Sequence, residues 1–183
     1  GNTLRIIGER TGGIAGRNYL QKALTAFNSA LDLLTRDSAD LQWAMTQHNL
    51  ASVSCILGRK TEGHAGLKYL HEAHASFDAA LEVRNRASSQ SDWARTQQNR
   101  ATLLLLLWDR IRGDAGLEYL KEALVGFNAA LEVITKQSAP LKWAMIQQNR
   151  SGALSQLGQA LIDDAGLNYL REAHIGFGAA LEV

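Results

Sequence analysis

Three stretches decide how this chain is read: WAMTQHN at 43–49, WARTQQN at 93–99 and WAMIQQN at 143–149. They recur every 50 residues without a slip, so one module is repeated along the chain. Self-similarity at periods of about 20–50 residues is the sequence mark of stacked supersecondary units. The agreement extends outward from these blocks. Ala15-Gly16, Ala65-Gly66, Ala115-Gly116 and Ala165-Gly166 keep the same spacing, as do Phe27, Phe77, Phe127 and Phe177. The spacing predicts a single array over 1–183, made of a partial repeat at 1–34 and repeats at 35–84, 85–134 and 135–183.

Each module reads as two helices. Trp43, Gln47, Leu50, Ala51, Ser54 and Leu57 fall on one helical stripe, which predicts a first helix over 41–58 with copies at 91–108 and 141–158. Ser138 is the expected N-cap of the last copy, with Pro140 in its first turn. A second helix starting near Asp114 or Asp164, each expected to cap, places Leu117, Leu120, Ala123, Leu124, Phe127, Ala130, Leu131 and Ile134 on one face. No segment alternates with period two, so no strand is expected.

Composition narrows the class without naming a chemistry. Lys+Arg 19 against Asp+Glu 18 leaves a net charge of +1, which argues against a nucleic-acid binder held by phosphate contacts. Cys55 is the only cysteine, so no internal disulfide can form. The longest apolar run, Leu103 to Trp108, is far shorter than the roughly 20 residues of a membrane-spanning helix. No basic-then-apolar leader opens the sequence, and a cytoplasmic location with no membrane partner is expected.

Asn49-Leu50-Ala51, Leu57-Gly58, Ala73, Phe77 and Ala80-Leu81 together resemble the tetratricopeptide-repeat signature of a helical hairpin. The usual unit is about 34 residues; this one resembles a long, 50-residue bacterial variant, and the likeness covers essentially the whole chain. Two columns depart from it: Arg100 and Arg150 stand in the Leu50 column, and Trp108 replaces the glycine of Gly8, Gly58 and Gly158. The resemblance implies an all-α solenoid, a right-handed superhelix of stacked antiparallel hairpins. It also implies a protein- or peptide-binding scaffold that uses the concave face lined by first helices.

Mapped on this chain, that face is Met45, His48, Asn49, Ser52, Cys55 and Ile56, with copies that include Arg95, Gln98, Asn99, Thr102, Leu105, Leu106, Met145 and Asn149. The expected partner-binding residues are Asn49, Asn99, Asn149, Met45, Arg95, Met145, Ser52, Thr102, Ile56 and Leu106. A side-chain amide both donates and accepts, so an Asn ladder suits a peptide backbone; a structural bond between helices is the competing reading. Ile56 and Leu106 either face the groove or belong to a buried helix. Trp108 is either an interface anchor or a plug for the missing glycine contact.

Chemistry is not expected. The glycines at 8, 12, 13 and 16 follow no strand and precede no Lys-Ser/Thr, so they form no phosphate loop. His64, His71 and His74 lie near one another, but the copies of His74 include Leu24 and Leu124, the pattern of a packing column. Cys55 lacks a repeated base, and Glu82, Glu132 and Glu182 recur as solvated salt-bridge positions rather than catalytic pairs. No catalytic residue, metal or cofactor is expected.

Two alternatives compete with a binding scaffold: a self-assembling spacer, and the sensor arm of a larger bacterial signalling protein. Leu4, Ile7, Leu20 and Phe27 at one end, and Leu170, Phe177 and Leu181 at the other, are expected to stay open and drive head-to-tail self-association.

Overall fold

The computed structural model describes residues 1–87 and 89–183, with the side chain of Ser38 left aside. Among them are eight helices and no strand: α1 (Asn2–Thr11), α2 (Gly13–Leu33), α3 (Arg36–Lys60), α4 (Gly63–Val83), α5 (Gln90–Ile111), α6 (Gly113–Leu131), α7 (Pro140–Ala160) and α8 (Asp164–Leu181). No helix among the described residues is long and apolar enough to cross a membrane. The chain divides into two compact units, Gly1–Asn85 and Arg86–Val183. Within each unit, helices adjacent in sequence pack on one another.

The repeat reappears as repeated backbone. α3 is broken at Ala39, where the backbone turns extended (φ −159°, ψ 59°). Ser89 and Ala139, fifty and a hundred residues on, adopt nearly the same angles immediately before α5 and α7. The first helix of every module therefore starts just ahead of its tryptophan, close to the expected position. Ser138 does not cap α7, however. Its hydroxyl instead accepts from the Thr135 amide at 3.1 Å and so shapes the loop before the helix.

The two helices of a hairpin meet where side chains are missing. A Cβ on Gly66 would lie 1.9 Å from the Thr61 carbonyl oxygen, and one on Gly58 would lie 3.0 Å from the Gly66 oxygen. The backbones therefore touch, and any larger residue must push them apart. In the α5–α6 hairpin Trp108 takes the place of the first glycine. Its ring lies 2.7 Å from where a Gly116 Cβ would be, with the Arg112 guanidinium 4.8 Å from the ring centre. Trp108 is buried, so of its two expected roles the structure assigns the plug.

The turn between helices uses Gly13, Gly63 and Gly113 in the left-handed region (φ 56°, 64° and 64°), which a Cβ disfavours. In the last hairpin that position is Asp163, whose extended backbone lets its carboxylate accept from the Gly166 amide at 2.9 Å. The cap of α8 is thus Asp163 and not Asp164. Asp114 and Asp164 lie inside the first turns of α6 and α8, where a negative charge complements the helix dipole.

Each unit contains one instance of the same layer-to-layer packing. In the first, Leu20, Ala23 and Phe27 of α2 meet Leu50, Val53 and Leu57 of α3. In the second, Leu120 of α6 and Trp108 of α5 meet Ala153 and Leu157 of α7. Burying each large aliphatic or aromatic side chain contributes about 1.5–3 kcal/mol. Leu20 and Phe27 are therefore core residues, which corrects the expectation that they remain open; α3 covers them. Ile7, Leu170, Phe177 and Leu181 are exposed, as expected of that set's remaining members apart from the half-buried Leu4.

Basic residues ahead of each first helix tie back to the end of a second helix. Arg36 pairs with Glu82 at 2.6 Å, Arg86 with Glu132, and Lys136 with Glu182 at 3.7 Å. All six side chains are substantially exposed, so each pair contributes about 0.2–1 kcal/mol. The recurring glutamates are the solvated ion-pair positions that their spacing suggested.

Candidate functional site

A concavity of about 670 Å³ in the second unit lies between α5, the loop at 132–139 and the start of α7. Arg95, Asn99 and Met145, three of the expected binding residues, line it together. The helical period explains the meeting: Arg95 and Asn99 are one turn apart on α5, while Met145 projects from α7 across the gap. Met145 is 46% exposed, a large apolar side chain left in water at the rim. Asp92 accepts from the Arg95 guanidinium at 2.6 Å, one turn below, and both side chains stay half in solvent. The cavity thus offers a flexible thioether, amides from Gln98 and Asn99, and charges of both signs from Asp92, Arg95 and Lys142.

Sequence reasoning missed part of this lining. Val133 and Ile134 form one wall, yet Ile134 was expected on the α6 face; α6 ends at Leu131, and Ile134 belongs to the loop. The missed signal was local. Thr135 and Ser138 form a hydroxyl–amide ring in the loop that follows α6, Thr135 Oγ1 accepting from the Ser138 amide at 3.1 Å.

The other expected residues are placed differently. Met45 is 48% exposed on α3 in the first unit. Asn49 and Asn149 are half-buried and do not line the cavity that holds Asn99. Ser52 and Thr102 donate to carbonyl oxygens one turn back, His48 at 2.9 Å and Gln98 at 3.0 Å, so their hydroxyls are engaged by their own helices. Ile56 packs at the edge of the α2–α3 core, and Leu106 is half-buried beside the fully buried Leu103, Leu104 and Leu107. His48, expected to point outward, is buried with its ring edge-on to Phe77 at 5.5 Å. Gln98 and Gln148 stand at this position in the copies.

The reactive side chains are arranged for packing. Burial pushes the Cys55 thiol up to about 11, although Arg59 nearby pulls it down, so at neutral pH it is protonated and a poor nucleophile. Among the described residues no group of three His, Cys, Asp or Glu side chains is placed to hold a metal ion.

One column does carry an ordered polar contact. Arg150, on α7, donates from Nε to Asn128 Oδ1 at 2.5 Å and pairs through Nη2 with Glu172 of α8. Arg100, on α5, pairs with Glu122 of α6 at 2.9 Å. Both arginine side chains are only 17% exposed. Leu50 occupies this column in the first unit, and there a cavity of about 570 Å³ opens between α2, α3 and α4.

Compared with known proteins, the chain matches no family model and no curated protein.

Proposed function

We propose that this chain is a non-enzymatic binding scaffold of the tetratricopeptide-repeat type, its hairpins stacked in a right-handed superhelix, and that it holds a peptide or an extended segment of a partner protein. The observation that carries this reading is the cavity between α5 and α7. It is open, preformed by helices, and mixes an exposed methionine with amides and charges of both signs. Such a surface suits an extended polypeptide, whose backbone needs donors and acceptors while its side chains need apolar contact. Methionine adapts to varied partners because it is unbranched and polarizable. A cytoplasmic site of action fits the same reading.

The test is retention on an array of immobilised peptides of varied sequence. The native chain should retain a subset that a double variant, Arg95→Ala with Met145→Ala, no longer retains. The variant's helical circular-dichroism signal and melting temperature should stay within a few degrees of native. Retention that ignores both substitutions would rule out this cavity as the binding face.

A second reading, self-assembly, is favoured by one feature. Leu141, Met145, Phe177 and Leu181 surround an apolar cleft of about 300 Å³ between α7 and α8, with Leu181 88% exposed. Phe177 and Leu181 changed to charged residues should lower the mass seen by light scattering at high concentration. If the native chain is already monomeric there, this reading fails.

A further inference from the structure

The repeat supplies its own control for the cavity in the first unit. Asn28 and Glu72 line that cavity over Leu50. A hundred residues on, the same places are held by Asn128 and Glu172, and between them lies the guanidinium of Arg150. The acceptors are therefore present in both units, but only the second supplies a cation from the column between them. We propose that the cavity between α2, α3 and α4 receives the guanidinium of an arginine side chain belonging to a partner polypeptide.

The chemistry of the lining fits that occupant. A carboxylate and an amide oxygen accept from the planar fork of a guanidinium, and such charge-assisted bonds are about twice as strong as neutral ones. The apolar floor of Leu50 and Leu24 suits the methylene stem of the same side chain. Lys68 approaches Glu72 to 4.0 Å with a side chain 72% exposed, a solvated contact that an incoming guanidinium replaces. The Arg100–Glu122 pair repeats the contact a second time within this chain. Arginine is preferred over lysine because a guanidinium donates from several nitrogens of one rigid plane, whereas an ammonium donates from a single nitrogen.

This inference rests on the reading of the chain as a polypeptide-binding scaffold, but it uses a different cavity from the one between α5 and α7. The experiment titrates the full chain by calorimetry with acetyl-Gly-Arg-Gly-amide, its lysine counterpart and free arginine. Saturable binding of the arginine peptide is expected, weaker by about tenfold in Glu72→Gln, as loss of a hydrogen bond to a charged group implies. Leu50→Arg should abolish it, because the new side chain fills the cavity from within as Arg150 does. Should Leu50→Arg fail to fold, Glu72→Gln and Asn28→Ala, both at exposed positions, carry the test.

Four outcomes would overturn the proposal: no saturable binding to the native chain, equal binding of the lysine peptide, binding unchanged by Glu72→Gln and Asn28→Ala, or free arginine binding as tightly as the peptide. The Arg95→Ala, Met145→Ala variant should bind the arginine peptide as the native chain does. Failure of this site and failure of the α5–α7 cavity are thereby told apart.

Discussion

The α2–α3–α4 layer of the first unit and the α6–α7–α8 layer of the second are built on the same columns, and they differ in what fills the space between helices. Leu20 and Leu120 are both fully buried, as are Ala23 and Ala123, and Tyr69 and Tyr169 both pack at the edge of their cores. At one column the layers part: Leu50 leaves a cavity where Arg150 spans Asn128 and Glu172. Columns that set backbone contact are kept small or apolar because close packing penalises any change of volume. The Leu50–Arg150 column admits either kind of side chain, and the exchange there converts a filled groove into a vacant one.

The largest effect expected from this comparison concerns the phenylalanine column. Phe127 is fully buried, and Phe127→Ala should cost about 3–5 kcal/mol in urea unfolding. Phe177 is 37% exposed, and its alanine variant should cost no more than about half as much, since less area leaves water on folding. Equal losses would mean that the two faces are equally covered, which would break the comparison.

Next come two glycines in opposite circumstances. Gly66→Ala forces a Cβ against the Thr61 carbonyl and should destabilise by about 1–3 kcal/mol. Gly152→Ala meets open space inside α7 and should stabilise by about 0.5–1 kcal/mol, the entropy recovered by removing a helical glycine. Thermal melts of the two variants should move in opposite directions; a Gly66→Ala chain that melts no lower than native would contradict the contact described at Gly66.

Glu172→Gln and Glu72→Gln sharpen the contrast at the Arg150 column. The first loses the charge that holds Arg150 and should cost about 1 kcal/mol, reduced by added salt. The second has no arginine from its own column to hold, and should stay within about 0.5 kcal/mol. A double-mutant cycle with Arg150→Leu measures the coupling directly, and zero coupling would remove the physical basis of the difference.

The smallest effect is at Cys55, whose copies are Leu105 and Ser155. Its thiol, raised from 9.0 to about 11 by burial, should react with a maleimide more slowly than in the urea-unfolded chain at pH 8. Because the folded value lies above the unfolded one, the thiol's contribution to stability is intact below 9.0. It is lost as pH rises toward about 11. A labelling midpoint near 9.0 in the folded chain would place the sulfur in water.

Most of the fold was legible because helical period and repeat period agree. The Trp43, Trp93 and Trp143 blocks place the first helices to within a few residues, and the Ala-Gly and Phe columns place the second. What was not legible depended on a neighbour. Leu20 and Phe27 are buried because α1 and α3 both pack on them, and His48 is buried with its ring edge-on to Phe77. Ser138 bonds Thr135 across the loop and does not cap α7. The cavity between α5 and α7 was half legible. Arg95, Asn99 and Met145 lie on helices whose period can be counted, whereas Val133 and Ile134 lie on a loop that has none.

The ion pairs that tie Arg36 to Glu82 and Arg86 to Glu132 each join residues 46 apart in sequence, so each closes within one repeat length. Folding speed falls as contacts reach farther along the chain, because a long loop must be ordered before its contact forms. A chain whose ion pairs of this kind span less than one repeat length can begin to fold in either unit. The same locality makes the module a natural unit of duplication: a copied segment brings both members of its closing pair with it.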